Sequence, residues 1–124
     1  MLKKRIAPRR AKMGQTTLKL FRAGNGHSAR MENARPGADV TTYSNNNVEY
    51  VTGRSGGVST YDSVDPTLNG KWWELPTGID YDDKTLFLKD DRNGHWEWQP
   101  EHDMPFDEYK AALALLNGKF TLVP

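Results

Sequence analysis

Turn-forming residues recur along this chain at such short intervals that only short strands fit between most of them. The 124 residues include 11 glycines and 7 prolines. Short runs with two-residue alternation or several β-branched and aromatic side chains separate these turns, at positions 16–22, 48–51, 58–61, 71–75, 85–89, 96–99 and 120–123. Short runs bounded by turn residues are typical of strands. The pattern therefore predicts a mostly antiparallel sheet.

One longer segment, residues 104–116, has the periodicity of a helix instead. Its large apolar side chains fall on one stripe, at Phe106, Tyr109, Leu113 and Leu116. Asp103 is the expected N-cap, and Asn117-Gly118 is the expected end. A second, short helix is predicted over residues 27–35, with Ala29 and Met31 partly buried. The predicted fold class is α+β: a compact split antiparallel β-sheet with a C-terminal helix packed on it.

The composition excludes several kinds of protein. There are no cysteines, so disulfide frameworks and thiolate metal sites are excluded. The longest apolar run, residues 111–116, is far shorter than the roughly 20 residues that span a bilayer, which predicts no membrane span. His27, His95 and His102 lack the spacing of metal ligands, so no metal site is predicted.

Charge is divided unevenly between the two halves of the chain. Residues 1–54 hold eleven basic and three acidic side chains, a net +8, whereas residues 55–124 hold six and thirteen, a net −7. An acidic half disfavours a general coat for nucleic acid, so we expect a localised anion site. Residues 1–15 are predicted to be a basic mobile tail, and residues 16–124 a single domain.

Residues 56–62 combine features that suit a nucleotide. Gly57 lets a backbone approach a ligand closely, Ser59 and Thr60 supply hydroxyl groups, and the Tyr61 ring offers a stacking face. An ordinary Gly-Gly turn entering a strand explains the same residues. The segment lacks the glycine-lysine pattern of a P-loop.

The strand over residues 96–99, extended to His95, has two different faces. His95, Glu97 and Gln99 point to one side, and Trp96 and Trp98 to the other. The tryptophan face belongs to the core, while the polar face either meets solvent or lines a cleft.

Arg22, at the end of the first strand, carries a guanidinium fork suited to a pyrophosphate, although surface arginines are common.

Residues 18–23, 56–62, 73–80 and 95–104 together resemble the ADP-ribosyltransferase-like toxin family of bacterial type VI secretion effectors and related polymorphic toxins. The resemblance implies a split sheet around an NAD cleft, with NAD consumed as a substrate. It also implies a cognate immunity protein or antitoxin, an unknown macromolecular acceptor, and delivery without a signal peptide into the cytoplasm of a target cell.

The resemblance also implies roles for individual residues. Glu97, His95 and Ser59 are the catalytic candidates, with Glu97 holding the ribose 2-hydroxyl against an oxocarbenium-like transition state. The residues expected to bind NAD are Arg22, Gly57, Ser59, Thr60, Tyr61 and His95.

Two other functions remain open from the sequence. An endoribonuclease toxin would use His95 or His102 with Glu97 as acid and base, and Arg22 or Arg54 on the scissile phosphate. A non-catalytic binding module would instead dock its basic tail on an acidic partner or a nucleic acid.

Overall fold

The computed structural model describes residues 13–68 and 70–124 as short strands and one helix. Over these residues, no helix is long and apolar enough to cross a membrane. The elements in chain order are β1 (Met13–Gln15), β2 (Leu20–Gly24), β3 (Thr42–Asn45), β4 (Val48–Val51), β5 (Val58–Tyr61), β6 (Lys71–Leu75), β7 (Asp80–Asp82), β8 (Leu86–Asp90), β9 (His95–Pro100), β10 (Met104–Pro105), α1 (Phe106–Asn117) and β11 (Thr121–Leu122).

The strands form three separate sheets. The largest has six strands in the order β11-β6-β2-β5-β9-β8, and the others are β10-β4-β3 and the pair β1-β7. Each pair of neighbouring strands is antiparallel. The predicted class, α+β with split antiparallel sheets and one C-terminal helix, is therefore confirmed.

The core lies where the apolar stripe of α1 packs against β4 and β10 of the three-stranded sheet and against the β8-β9 end of the six-stranded sheet. The four predicted stripe residues of the helix are all buried, and Trp98 on β9 is completely buried. Tyr109 donates its hydroxyl to the Trp98 carbonyl at 2.5 Å, and burial raises the pKa of that hydroxyl. This bond joins the helix to β9, the neighbour of the edge strand β8.

The start of α1 differs from the prediction. Met104 and Pro105 form β10, paired with β4, and the N-cap is Pro105 without a side-chain hydrogen bond. Asp103 instead accepts hydrogen bonds from the Gly53 amide and the Tyr43 hydroxyl, and these bonds hold the pKa of its carboxyl below the usual range. The predicted N-cap is therefore wrong, because two distant donors take up the carboxylate.

The predicted helix over residues 27–35 is also wrong. The segment consists of turns and bends, and Arg30 adopts a left-handed φ of 55° that no α-helix accommodates. Its polar backbone groups bind distant side chains instead, since Asn117 accepts the Met31 amide. Ala29 and Met31 are fully buried rather than partly buried.

Strands β1 and β3 form at residues where the sequence predicts no strand. Residues 42–51 form a β3-β4 hairpin whose turn residues, Asn46 and Asn47, have φ of 52° and 65°. Asparagine tolerates this left-handed conformation better than most residues. The predicted first strand, residues 16–22, starts later in the structure, since β2 begins at Leu20 and Thr16 donates its hydroxyl to the Pro76 carbonyl. Residues 13–15 of the predicted tail form β1, and residues 1–12 lie outside the described residues.

Gly57 provides a test of how closely β5 approaches β9. A Cβ at this position would lie 2.3 Å from the Trp98 carbonyl oxygen, which is backbone and cannot move aside. We expect Gly57→Ala to lower the free energy of unfolding by about 1–3 kcal/mol, the usual cost of overpacking. The control is Gly118→Ala, since Gly118 has an ordinary helical φ of −68° and open space at its Cβ. Urea denaturation of both variants measures the difference, and equal stabilities would contradict the close approach.

Candidate functional site

The polar side chains of β5 and β9 lie on one face of the six-stranded sheet. Ser59 is paired directly with Glu97, and Tyr61 directly with His95. Directly opposed residues of antiparallel strands project to the same side. We call these four residues the polar face. The predicted alternation along residues 95–98 therefore places both catalytic candidates of β9 beside Ser59.

His95 lies at the centre of a hydrogen-bonded chain. Its Nε2 lies 2.7 Å from the Ser59 hydroxyl oxygen, and its Nδ1 lies 3.0 Å from a carboxylate oxygen of Asp91. Asp91 belongs to the turn between β8 and β9, where its amide donates to the His95 carbonyl at 2.8 Å. We call Asp91, His95 and Ser59 the relay. Asp91 is not among the site residues predicted from the sequence.

Ser59 opens into a cleft of about 300 Å³, within the range of small-molecule sites. A second lobe of about 330 Å³ adjoins it and includes Asp62 and Asp65. Tyr61, Leu68 and Trp72 line both lobes. The lobe that contains Ser59 is lined by Arg22, Ala23, Asn33, Arg35, Asp39, Ser59, Tyr61, Leu68 and Trp72.

Arg22 lines the cleft, but its guanidinium is not the free fork that the sequence suggested. Its Nε donates to the Ala29 carbonyl at 3.0 Å, and its two terminal nitrogens donate to the carbonyls of Ser59 at 2.9 Å and Arg30 at 3.2 Å. Burial lowers the pKa of this guanidinium. A guanidinium has five N–H donors, so two remain for a ligand. Arg22 thus supports the cleft wall and supplies positive charge to it.

This arrangement predicts that lysine cannot replace Arg22. A single ammonium on a flexible stem cannot reach three carbonyls that a planar fork satisfies together. We expect Arg22→Lys to lower the free energy of unfolding by about 1–3 kcal/mol, because at least one part-buried carbonyl loses its donor. Arg30→Lys is the control, since that side chain is exposed. If the thermal melts of Arg22→Lys and Arg30→Lys both coincide with that of the wild type, the role of Arg22 in the cleft wall is contradicted.

Arg35 and Asp39 form the other charged part of the cleft wall. Arg35 donates to both oxygens of the Asp39 carboxylate, at 3.1 Å each. Burial raises the pKa of Asp39, but hydrogen bonds from Arg35 outweigh it and hold the pKa below its usual value. The pair fixes the Arg35 guanidinium at the rim of the cleft. We call Arg22 and Arg35 the arginine wall.

Two aromatic side chains stand where the lobes meet. Tyr61 stacks on the His95 ring, with centroids 5.3 Å apart, and meets the Trp72 ring edge-on at 6.4 Å. Tyr61 keeps 41% of its surface exposed. The Trp72 indole nitrogen is buried and has no acceptor among the residues described. The exposed Tyr61 ring therefore offers a stacking surface for a flat ligand where the lobes meet.

Thr60 and Gly57 lie outside this cleft. Thr60 is fully buried on the opposite face, where its hydroxyl donates to the Trp96 carbonyl at 2.9 Å and accepts from the Trp98 indole at 3.2 Å. Gly57 is buried against the β9 backbone. The cleft thus brings Ser59 and Tyr61 together with Arg22, whereas the other two predicted NAD-binding residues belong to strand packing. His95 and Glu97 line neither lobe, and His95 is joined to the cleft through its contacts with Ser59 and Tyr61.

Glu97 continues the polar face beyond His95. It accepts a hydrogen bond from the Gln99 amide at 2.9 Å. Asp91, His95 and Glu97 each bring one potential ligand atom within 4.8 Å of the others. No metal site was predicted from the sequence, because only the spacing of His27, His95 and His102 was considered. A cation here would have to displace the hydrogen bond between Asp91 and His95.

The other residues predicted for an endoribonuclease, Arg54 and His102, make their contacts outside the cleft. Arg54 is paired with Glu101 and stacks on the Phe87 ring, with its guanidinium carbon 3.9 Å from the ring centroid. His102 contacts the Asp103 carbonyl through Nδ1 at 2.7 Å. Neither residue lines the two lobes of the cleft. No protein-family model, curated protein or solved structure matched this chain.

Proposed function

We propose that this protein is an NAD-dependent mono-ADP-ribosyltransferase toxin that acts in the cytoplasm of a target cell. The observation that carries the proposal is the polar face, which places a hydroxyl, an imidazole and a carboxylate beside a cleft with an arginine wall. Cationic guanidinium groups suit a pyrophosphate, and aromatic rings suit nicotinamide or adenine. Dinucleotide chemistry requires both kinds of surface in one site.

In this proposal NAD lies across the boundary of the two lobes. The free N–H groups of Arg22 and the rim guanidinium of Arg35 hold the pyrophosphate. Tyr61 supplies the stacking surface for nicotinamide. Asp62 and Asp65, in the second lobe, offer acceptors for ribose hydroxyl groups.

Transfer then breaks the bond between nicotinamide and its ribose. Glu97 accepts a hydrogen bond from the ribose 2-hydroxyl and stabilises the positive charge that develops on the sugar. His95, held on both sides by Asp91 and Ser59, orients the Ser59 hydroxyl toward the ribose. Nicotinamide leaves, and a nucleophile of a macromolecular acceptor takes the ADP-ribose.

The same proposal includes a partner that restrains the activity. A cognate immunity protein or antitoxin would block the cleft, and the acidic second half of the chain favours a basic contact surface on that partner.

Binding of NAD tests the proposal through Tyr61. Stacking of a ring on an aromatic side chain is worth about 1–3 kcal/mol, so we expect Tyr61→Leu to weaken NAD binding by roughly 10-fold or more. Tyr43→Leu is the matched control, because Tyr43 has 39% exposure but lies on the β3-β4 hairpin. Isothermal titration with NAD measures both variants. Absence of NAD binding by wild type would remove the proposal.

The close approach of His95 and Glu97 favours one second candidate, an endoribonuclease toxin. Their ligand atoms lie within 4.8 Å of each other, a separation suited to a cooperating acid and base. The Arg22 guanidinium then faces the scissile phosphate. Cleavage of total RNA without added NAD would support this candidate, and intact RNA would exclude it.

A further inference from the structure

The relay contains a residue that the proposed function does not need as a nucleophile, the Ser59 hydroxyl. His95 Nδ1 lies 3.0 Å from Asp91 and His95 Nε2 lies 2.7 Å from Ser59, so one imidazole joins a carboxylate to a serine. The three residues come from β5, β9 and the turn before β9. The relay is thus built from two adjacent strands.

The relay joins a carboxylate, an imidazole and a hydroxyl in the order that activates a serine nucleophile. When the Asp91 carboxylate accepts a hydrogen bond from Nδ1–H, the neutral imidazole presents the lone pair of Nε2 to the Ser59 hydroxyl. A base in this position removes the serine proton as the hydroxyl attacks. Asp91, whose carboxylate is hydrogen-bonded to His95 Nδ1, is a positioning residue that selects this tautomer.

The cleft supplies the other requirements for attack by Ser59. Ser59 is half-buried and lines the lobe of about 300 Å³, where a small molecule would bind beside it. The Arg22 guanidinium lies 2.9 Å from the Ser59 backbone oxygen and retains two unused N–H donors. A negative charge that develops beside Ser59 therefore forms next to a fixed cation.

We propose that this protein has a second, NAD-independent activity, the hydrolysis of small carboxylic esters with Ser59 as nucleophile. Ser59 Oγ bonds to the ester carbonyl carbon while its proton moves to His95 Nε2. The tetrahedral oxyanion collapses, the bond to the leaving alcohol breaks, and His95 returns the proton to that alcohol. Water, deprotonated by His95, then attacks the acyl-serine, releases the acid and restores the hydroxyl.

Covalent labelling tests the nucleophile directly. The wild-type chain is treated with a fluorophosphonate, which transfers its phosphonyl group to an activated serine and releases fluoride. Mass spectrometry of the digested protein should find the adduct on Ser59 and not on Ser55, an exposed serine four residues away that bonds only the Thr52 carbonyl. A folded protein without an adduct on Ser59 would overturn the proposal.

Hydrolysis of p-nitrophenyl acetate gives the second readout. Ser59→Ala should lower the rate to that of buffer, whereas Ser55→Ala should retain the wild-type rate. Asp91→Asn should lower kcat by roughly 10²-fold with little change in KM, because the general base loses its orientation. Wild type no faster than a folded Ser59→Ala variant would contradict the activity. Neither assay contains NAD, so failure here leaves the proposed transferase activity untouched.

Discussion

Replacement of Glu97 by glutamine is expected to lower the rate of nicotinamide release from NAD by about 10²-fold or more, a loss of about 2.7 kcal/mol in transition-state stabilisation. Glutamine has nearly the same shape as glutamate but lacks the negative charge that opposes the developing oxocarbenium ion. Glu97 is part-buried, and its carboxylate contacts the Gln99 amide. The fold and NAD affinity should therefore remain close to wild type.

The matched control for this variant is Glu49→Gln. Glu49 is exposed on β4, in a different sheet from the polar face. Its replacement should leave nicotinamide release unchanged. A Glu97→Gln protein with wild-type turnover would remove Glu97 from the mechanism and leave Ser59 and His95 as the reacting groups of the site.

Replacement of Trp98 by alanine is expected to have the largest effect on stability, a loss of about 3–5 kcal/mol. The indole is fully buried, packs edge-on against the Tyr81 ring at a centroid distance of 4.9 Å, and donates to Thr60. Small domains are stable by only about 5–15 kcal/mol, so this variant should be close to unfolded at moderate temperature.

Guanidinium chloride denaturation measures the loss, and Trp96→Ala provides the comparison. Trp96 lies two residues earlier on the same strand and points to the same side, but it is only part-buried, so its loss should be smaller. Equal losses for the two variants would show that the core is not centred on Trp98.

The predictable parts of the fold are those that depend on local periodicity. Phe106, Tyr109, Leu113 and Leu116 repeat at helical spacing, and all four pack into the core as predicted. The alternation of His95 and Glu97 with Trp96 and Trp98 likewise assigned the two faces of β9 before their partners were known. A two-residue or 3.6-residue period fixes side-chain direction without any knowledge of tertiary contacts.

The unpredicted parts depend on groups that are distant in sequence. Asp103 has the residue type and position of an N-cap, yet the Gly53 amide and the Tyr43 hydroxyl bind it. Arg22 has the donors of a phosphate fork, yet three carbonyls occupy most of them. Asp91 joins the relay only because the turn after β8 folds it back onto His95. Such polar partners are selected by the fold, and residue type alone does not reveal them.

The most direct test of the transferase is incubation of the purified protein with NAD labelled in its adenylate half, together with a cell lysate. The expected result is release of nicotinamide and stable transfer of the label to a macromolecule, both reduced by about 10²-fold in Glu97→Gln. Transfer should also fall in Tyr61→Leu, which binds NAD more weakly, and persist in Glu49→Gln. Intact NAD after incubation with a folded wild-type protein, at NAD concentrations that saturate binding, would contradict the proposed activity.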